Sequence, residues 1–124
     1  MEKEKKILVI DDDPTSNSLV GFLLKTNGYR VIVACDGDDG LTKADQEKPD
    51  LIVLDVMMPK MDGYTFLRHL KQINQLKIPP VIMLTSKDKM EETFRMEGVV
   101  EYFVKPLDTQ KFLKKVRDVI PDDE

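Results

Sequence analysis

The stretch Leu51-Ile-Val-Leu-Asp55-Val-Met-Met-Pro59-Lys-Met-Asp62-Gly63 decides how the rest of this 124-residue chain folds. Four branched apolar residues run straight into a carboxylate, and a Pro and an Asp-Gly pair then turn the chain. A short apolar run without polar alternation predicts a strand buried on both faces, as in the middle of a parallel sheet. Asp55 then lies at or just beyond the C-terminal edge of a central strand, where open α/β sheets carry their chemistry.

Working outward, Lys6 to Ile10 is a second short apolar run, ending in Asp11-Asp12-Asp13. Asp13-Pro14 predicts a helix start, with Asp as N-cap and Pro in the first helical position. Leu19, Val20, Leu23 and Leu24 recur at helical spacing, and Asn27-Gly28 supplies a left-handed stop. Arg30 to Ala34, with β-branched Val31, Ile32 and Val33, is a strand. Gly37 to Lys48 reads as a polar helix with few apolar anchors, and Asp50 to Asp55 as the central strand. Downstream, Asp62 caps a helix from about Tyr64 to Asn74, with Phe66, Leu67, Leu70 and Ile73 as its inner stripe. Val81 to Leu84 is a buried strand that delivers Thr85-Ser86 to its edge. A short helix from about Lys89 to Glu97 is closed by Gly98. Glu101 to Val104 is the last strand, leading into Lys105-Pro106. Asp108 caps a final helix with Phe112, Leu113, Val116, Val119 and Ile120 facing inward, and Pro121 stops it. Strand and helix alternate throughout, which calls for a doubly wound α/β fold: a parallel sheet with helices on both faces, joined by right-handed crossovers. The expectation is one domain over residues 1–124, with a core of about 6–120 and an acidic tail at 121–124.

Composition narrows the function classes. Apolar residues make up 41% and charged residues 34%, as in an ordinary globular protein. The longest apolar run, Val31 to Cys35, is five residues, and Ile7 to Ile10 and Leu51 to Leu54 are four, too short to span a membrane or to form a signal-peptide core. A net charge of −4 with no basic stripe leaves no footprint for nucleic acid, so a DNA-binding role would belong to another chain. The single cysteine, Cys35, excludes an intrachain disulfide and fits a reducing cytoplasm.

Four of the five predicted strands place polar groups at one edge: Asp11, Asp12 and Asp13, then Asp55, then Thr85 and Ser86, then Lys105. Two like charges about 4 Å apart repel by roughly 4 kcal/mol at an effective dielectric near 20. Crowded carboxylates therefore either raise a pKa or recruit a cation. An oxygen-only donor set with no His or Cys selects a hard ion, Mg²⁺ before Zn²⁺. Lys105 and Thr85 suit a phosphoryl group, and an Asp can become its covalent acceptor. Singly, each residue has an ordinary explanation: Asp13 as a helix cap, Thr85 as a turn residue, Lys105 as solvated surface. Their joint placement on strand ends one, three, four and five argues for a site.

In order along the chain, Ile7-Leu-Val-Ile-Asp11-Asp12-Asp13, Leu54-Asp55-Val-Met-Met-Pro59-Lys-Met-Asp-Gly63, Leu84-Thr85-Ser86 and Tyr102-Phe-Val-Lys105-Pro106 resemble the receiver domain of two-component response regulators, a CheY-like superfamily. The resemblance runs from Lys6 to about Ile120. It implies a flavodoxin-like five-stranded sheet of order 2-1-3-4-5 with five helices, and a signalling phospho-acceptor, not a turnover enzyme. By position, Asp55 corresponds to the residue phosphorylated by a sensor histidine kinase or phosphotransfer protein. Asp12 corresponds to a direct Mg²⁺ ligand, Asp11 to one acting mostly through water, and Met57 to the backbone carbonyl ligand. Thr85 and Lys105 correspond to the phosphoryl-binding pair and Tyr102 to the aromatic switch. Phosphorylation would draw in Thr85 and Tyr102 and reshape the face of the fourth helix, last strand and last helix for a downstream output partner.

Some positions depart from the family pattern. Gly98-Val99-Val100-Glu101 stands where many receivers have a small residue and an acidic pair, and Lys111 where the winged-helix branch carries an acid. The resemblance then implies that the dimer of that branch does not form here, and that Val99 and Val100 add to a partner patch. Met57 and Lys87 occupy positions that tune phosphoryl lifetime, and neither offers a carboxylate or amide to orient water, so slow autodephosphorylation is expected. Two rival readings stand beside this one. A phosphatase similar to the haloacid dehalogenase superfamily would use Asp11 as nucleophile in Asp11-Asp12-Asp13-Pro14-Thr15, but leaves Asp55 without a role. A pseudo-receiver would keep the fold as an interaction module without taking phosphate.

Overall fold

The computed structural model describes residues 4–73, 78–86 and 98–121. Five strands, β1 (Lys6–Ile10), β2 (Arg30–Ala34), β3 (Leu51–Asp55), β4 (Val81–Thr85) and β5 (Val99–Val104), form one parallel sheet of order β2-β1-β3-β4-β5. The described helices are α1 (Pro14–Lys25), α2 (Gly37–Glu47), α3 (Gly63–Ile73) and α4 (Thr109–Val119). The helix expected over Lys89 to Glu97, together with Asn74, Lys87 and the acidic tail at Asp122 to Glu124, lies outside the described residues.

β3 is buried at all five positions, as its unbroken apolar run requires. Side chains alternate across the sheet. Ile52 and Leu54 join Leu8, Ile10 and Met83 beneath Ala44 of α2 and Phe66, Leu67 and Leu70 of α3. Leu51 and Val53 join Ile7, Val9 and Ile82 beneath Val20 and Leu24 of α1 and Phe112 and Val116 of α4. The sheet is thus the middle of three layers, and its strand ends share one edge.

Short polar signals start the helices where the sequence predicts them. Asp13 accepts a hydrogen bond from the Thr15 N–H, Asp62 from the Thr65 N–H, and Asp108 from the Lys111 N–H, at 3.0, 2.8 and 3.1 Å. Each such cap contributes about 1 kcal/mol. Gly28 supplies the left-handed residue after α1, at φ +93°.

Some details differ from expectation. Ile73 is not part of the inner stripe of α3: it is 55% exposed at the end of the helix. The spacing picks the correct side of α3, but that last turn extends past the packed layer. β5 begins at Val99, two residues before the expected Glu101, because the ladder to β4 shifts register between Val81 and Ile82 and carries Val100 as an extra residue. β3 and β4 run Leu51–Asp55 and Val81–Thr85, so Asp55 and Thr85 are the last strand residues and Asp50 lies outside.

Candidate functional site

Sheet order puts β1 beside β3 and β3 beside β4, so Asp11, just past β1, stands beside Asp55 and Thr85, the last residues of β3 and β4. One carboxylate oxygen each from Asp11, Asp12 and Asp55 lies within 4.8 Å of the other two. Asp11 and Asp55 are buried and Asp12 is exposed, so the cluster opens to solvent on one side. The Lys105 ammonium reaches in from the end of β5, 3.0 Å from Asp11 Oδ2 and 3.5 Å from Asp55 Oδ2.

The remaining oxygens are held by the backbone. Asp11 Oδ1 accepts from the Asp13 N–H at 2.9 Å, and Asp55 Oδ1 from the Met57 N–H at 3.2 Å. The Lys105 N–H donates to the Thr85 carbonyl at 2.9 Å, tying the ends of β4 and β5 together. The Lys105-Pro106 bond is cis. Thr85 is fully buried, and its hydroxyl donates to the Ser86 carbonyl at 3.4 Å, a long and weak bond.

The turn after β3 packs directly on Asp55. The Gly63 N–H donates to the Val56 carbonyl at 2.9 Å. A Cβ at Gly63 would stand 3.1 Å from both the Asp55 carbonyl oxygen and the Val56 Cα. That contact is tight enough that any larger residue requires the Asp55–Val56 backbone to shift by a few tenths of an ångström. Met57, two residues beyond Asp55, is exposed.

Burial, and after it the charge of Asp11, raises the Asp55 carboxyl from its ordinary 3.8 to about 6, against the pull of Lys105 and the Met57 N–H. Burial alone would lower the Lys105 ammonium. Its hydrogen bond to Asp11 and the charges of Asp55 and Asp11 outweigh that and hold it above its usual value. The cluster is thus short of positive charge.

The family described as response regulator receiver domain matches residues 7–117. The chain belongs to that family. Among curated relatives, the alkaline phosphatase synthesis transcriptional regulatory protein PhoP of Bacillus subtilis is 42% identical over 118 residues, covering 94% of this chain and 48% of its own length. The chain spans about half the length of that relative. Among solved structures, the chemotaxis protein CheY4 of Vibrio cholerae is 33% identical with a TM-score of 0.82, covering 95% of this chain and 100% of that one. The response regulator protein TrrA of Thermotoga maritima, solved in complex with Mg(2+)-BeF, is 27% identical with a TM-score of 0.82, covering 94% and 99%. A receiver is a signalling phospho-acceptor whose phosphodonor is a histidine kinase, and the triad of Asp11, Asp12 and Asp55 matches its Mg²⁺-binding site. No helix among the described residues is long and apolar enough to cross a membrane.

The structure brings Asp11, Asp12, Asp55, Thr85 and Lys105 to one edge, with the Met57 N–H against Asp55. Tyr102 lies lower on β5, opposite Met83 and half-buried against the layer under α2 and α3. One residue at the site gave no sequence signal. Asn17, in α1, is buried, and its amide donates to the Asp11 and Ala34 carbonyls at 2.8 and 3.2 Å. A lone Asn inside a helix reads as polar surface, and only its burial against β1 and β2 reveals otherwise.

Proposed function

We propose that Asp55 is the phosphoacceptor of this receiver, with Asp11, Asp12 and the Met57 carbonyl completing its Mg²⁺ site and Thr85 and Lys105 gripping the phosphoryl oxygens. The observation that carries this reading is the Lys105 ammonium bridging the buried Asp11 and Asp55 carboxylates. One cation and a triad of carboxylates of adjacent strands meet at a single open edge. The donor set is all oxygen, which suits a hard divalent ion. Mg²⁺, when bound there, supplies positive charge that offsets the crowded carboxylates and the incoming phosphoryl oxygens. The Asp55 carboxylate attacks phosphorus in line, an O–P bond forms, and the N–P bond to the donor histidine breaks with its electron pair leaving on the imidazole. The Met57 N–H orients the Asp55 carboxylate. The Thr85 hydroxyl exchanges a weak bond for one to a phosphoryl oxygen, which Lys105 also takes up.

Thr85 and Tyr102 support a switch. Thr85 pairs with Val104, and Tyr102 pairs with Met83, so both lie at alternate positions on one face of the sheet. A Thr85 drawn toward the phosphoryl group changes the packing available to Tyr102 and to the face of β5 and α4, where the output partner docks.

The phosphodonor also has a docking place in this reading. Beside Lys105, a groove of about 410 Å³ is lined by Leu19, Phe22, Leu23, Pro106 and Leu107. Leu19 and Phe22 are 67% and 69% exposed on α1. An apolar strip of this kind beside the lysine that contacts Asp55 suits a helix of the histidine kinase. The phosphatase alternative fits less well: Asp11 accepts hydrogen bonds on both oxygens, and Asp13 is engaged as the cap of α1.

Intact mass after incubation with Mg²⁺ and acetyl phosphate tests the assignment. A phosphoryl adduct present in the wild type and in Asp11→Asn at reduced yield, and absent in Asp55→Asn, is expected. Turnover without an adduct, abolished by Asp11→Asn, would indicate the phosphatase. Neither adduct nor turnover would indicate the pseudo-receiver.

A further inference from the structure

Asn17 is 4% exposed, and its amide donates to two carbonyls at the strand edge. Asp11 directly follows β1 and Ala34 closes β2. The Asp11 N–H also donates to the Ala34 carbonyl, at 3.3 Å. The Asn17 amide therefore seals the two strand ends just beyond their ladder, at 2.8 and 3.2 Å. Its Oδ1 has no partner among the described residues. A buried amide oxygen without a partner is unfavourable, and a leucine of similar size would fill the space without that cost. What the amide contributes here is its pair of donors.

We propose that Asn17 is a positioning residue of the acidic pocket, holding the β1–α1 turn so that Asp11 and Asp12 stay beside Asp55 in the absence of a metal ion. The inference rests on the reading of that triad as the Mg²⁺ site. Three carboxylates with oxygens within 4.8 Å repel one another, and a turn free to relax would spread them. Asn17 opposes this through the Asp11 backbone, while the Asp13 N–H fixes Asp11 Oδ1. Groups that orient metal ligands from behind typically change metal affinity by about 10–100-fold when removed.

Calorimetric titration of the full chain with Mg²⁺ tests this, using wild type, Asn17→Leu and, as a control, Val20→Ala, which opens a cavity under the same helix without touching the turn. Asn17→Ala replaces the leucine variant if that one does not fold. The expected result is a loss of Mg²⁺ affinity of about tenfold or more in the Asn17 variant and little change in Val20→Ala. Amide hydrogen exchange in EDTA gives a readout without metal: protection at the Asp11 and Asp13 amides falls in the Asn17 variant alone. Equal Mg²⁺ affinity in wild type and a folded Asn17 variant would overturn the inference, as would an equal loss in Val20→Ala. A wild type that takes up no Mg²⁺ would instead overturn the metal assignment, and this inference with it.

Discussion

Replacing Asp55 by Asn should make the metal-free protein more stable. The carboxyl is raised from 3.8 to about 6 by burial and by the neighbouring Asp11 charge. Above pH 6 the folded chain holds an ionised group in a place that disfavours it, whereas the unfolded chain holds the same group in water. A displacement of about 2 pH units, at about 1.4 kcal/mol each, sets a ceiling of about 3 kcal/mol on this cost. Because Asp11 and Asp55 share the strain, a gain of about 1–3 kcal/mol in Asp55→Asn at pH 7 is expected. An Asn keeps an oxygen for the Met57 N–H, so that hydrogen bond survives. The pH dependence has a definite sign. A group whose folded pKa lies above its unfolded value binds a proton more readily in the folded chain. This group's contribution therefore stabilises wild type as pH falls through 6 and levels off below about 4, and the variant lacks that increment. Urea unfolding in EDTA at pH 7.5 and pH 5 measures both effects, and the difference between the proteins should shrink at the lower pH. In saturating Mg²⁺ the order should narrow or reverse, because the wild type gains linkage stabilisation that the variant largely loses. Equal midpoints in EDTA with parallel pH profiles would refute the reasoning.

Gly63→Ala should cost about 1–3 kcal/mol in urea unfolding, because the added methyl meets the Asp55 and Val56 backbone at 3.1 Å; an unchanged midpoint would show that the turn gives way freely. Lys105→Met should leave Mg²⁺ binding intact or tighter, while the rate of labelling by acetyl phosphate falls about 10-fold or more through loss of a charged grip on the phosphoryl group. Phe22→Ala should slow transfer from the histidine kinase by about 10-fold or more while leaving labelling by acetyl phosphate unchanged, since in the proposed docking the protein donor alone needs the groove that Phe22 lines; equal slowing with both donors would place Phe22 elsewhere in the mechanism. The phosphoryl group should persist for minutes or longer, read by intact mass after donor removal, because the Met57 side chain cannot orient a water.

Much of this arrangement was legible because the decisive signals are local. An unbroken apolar run marks a central strand, and the buried β3 obeys it residue by residue. Asp13, Asp62 and Asp108 announce helix starts by chemistry that acts over three residues, and all three caps form. Misreadings fall where non-local packing decides. Helical spacing alone cannot tell where the layer above α3 ends, so it counts Ile73 as internal although the residue is exposed. The start of β5 depends on a register shift against β4, which no pattern in Val99-Val100-Glu101 records. Asn17 carries no local signal because its acceptors lie six and seventeen residues away and are backbone carbonyls, identical in every sequence.

Lys105 shows why the site combines features that are ordinary one at a time. Its ammonium is the described cation touching both buried carboxylates, and it satisfies Asp11 more closely than Asp55, at 3.0 against 3.5 Å. In the proposed mechanism the same ammonium must turn to a phosphoryl oxygen once Asp55 is modified. Breaking a buried pair without replacement leaves an unpaired charge and is strongly unfavourable. Asp11 can release Lys105 at low cost only if another cation takes its place. The phosphoryl grip and the Mg²⁺ site are therefore coupled through one side chain, and phosphorylation without a divalent ion is opposed by electrostatics as well as by loss of a Lewis acid.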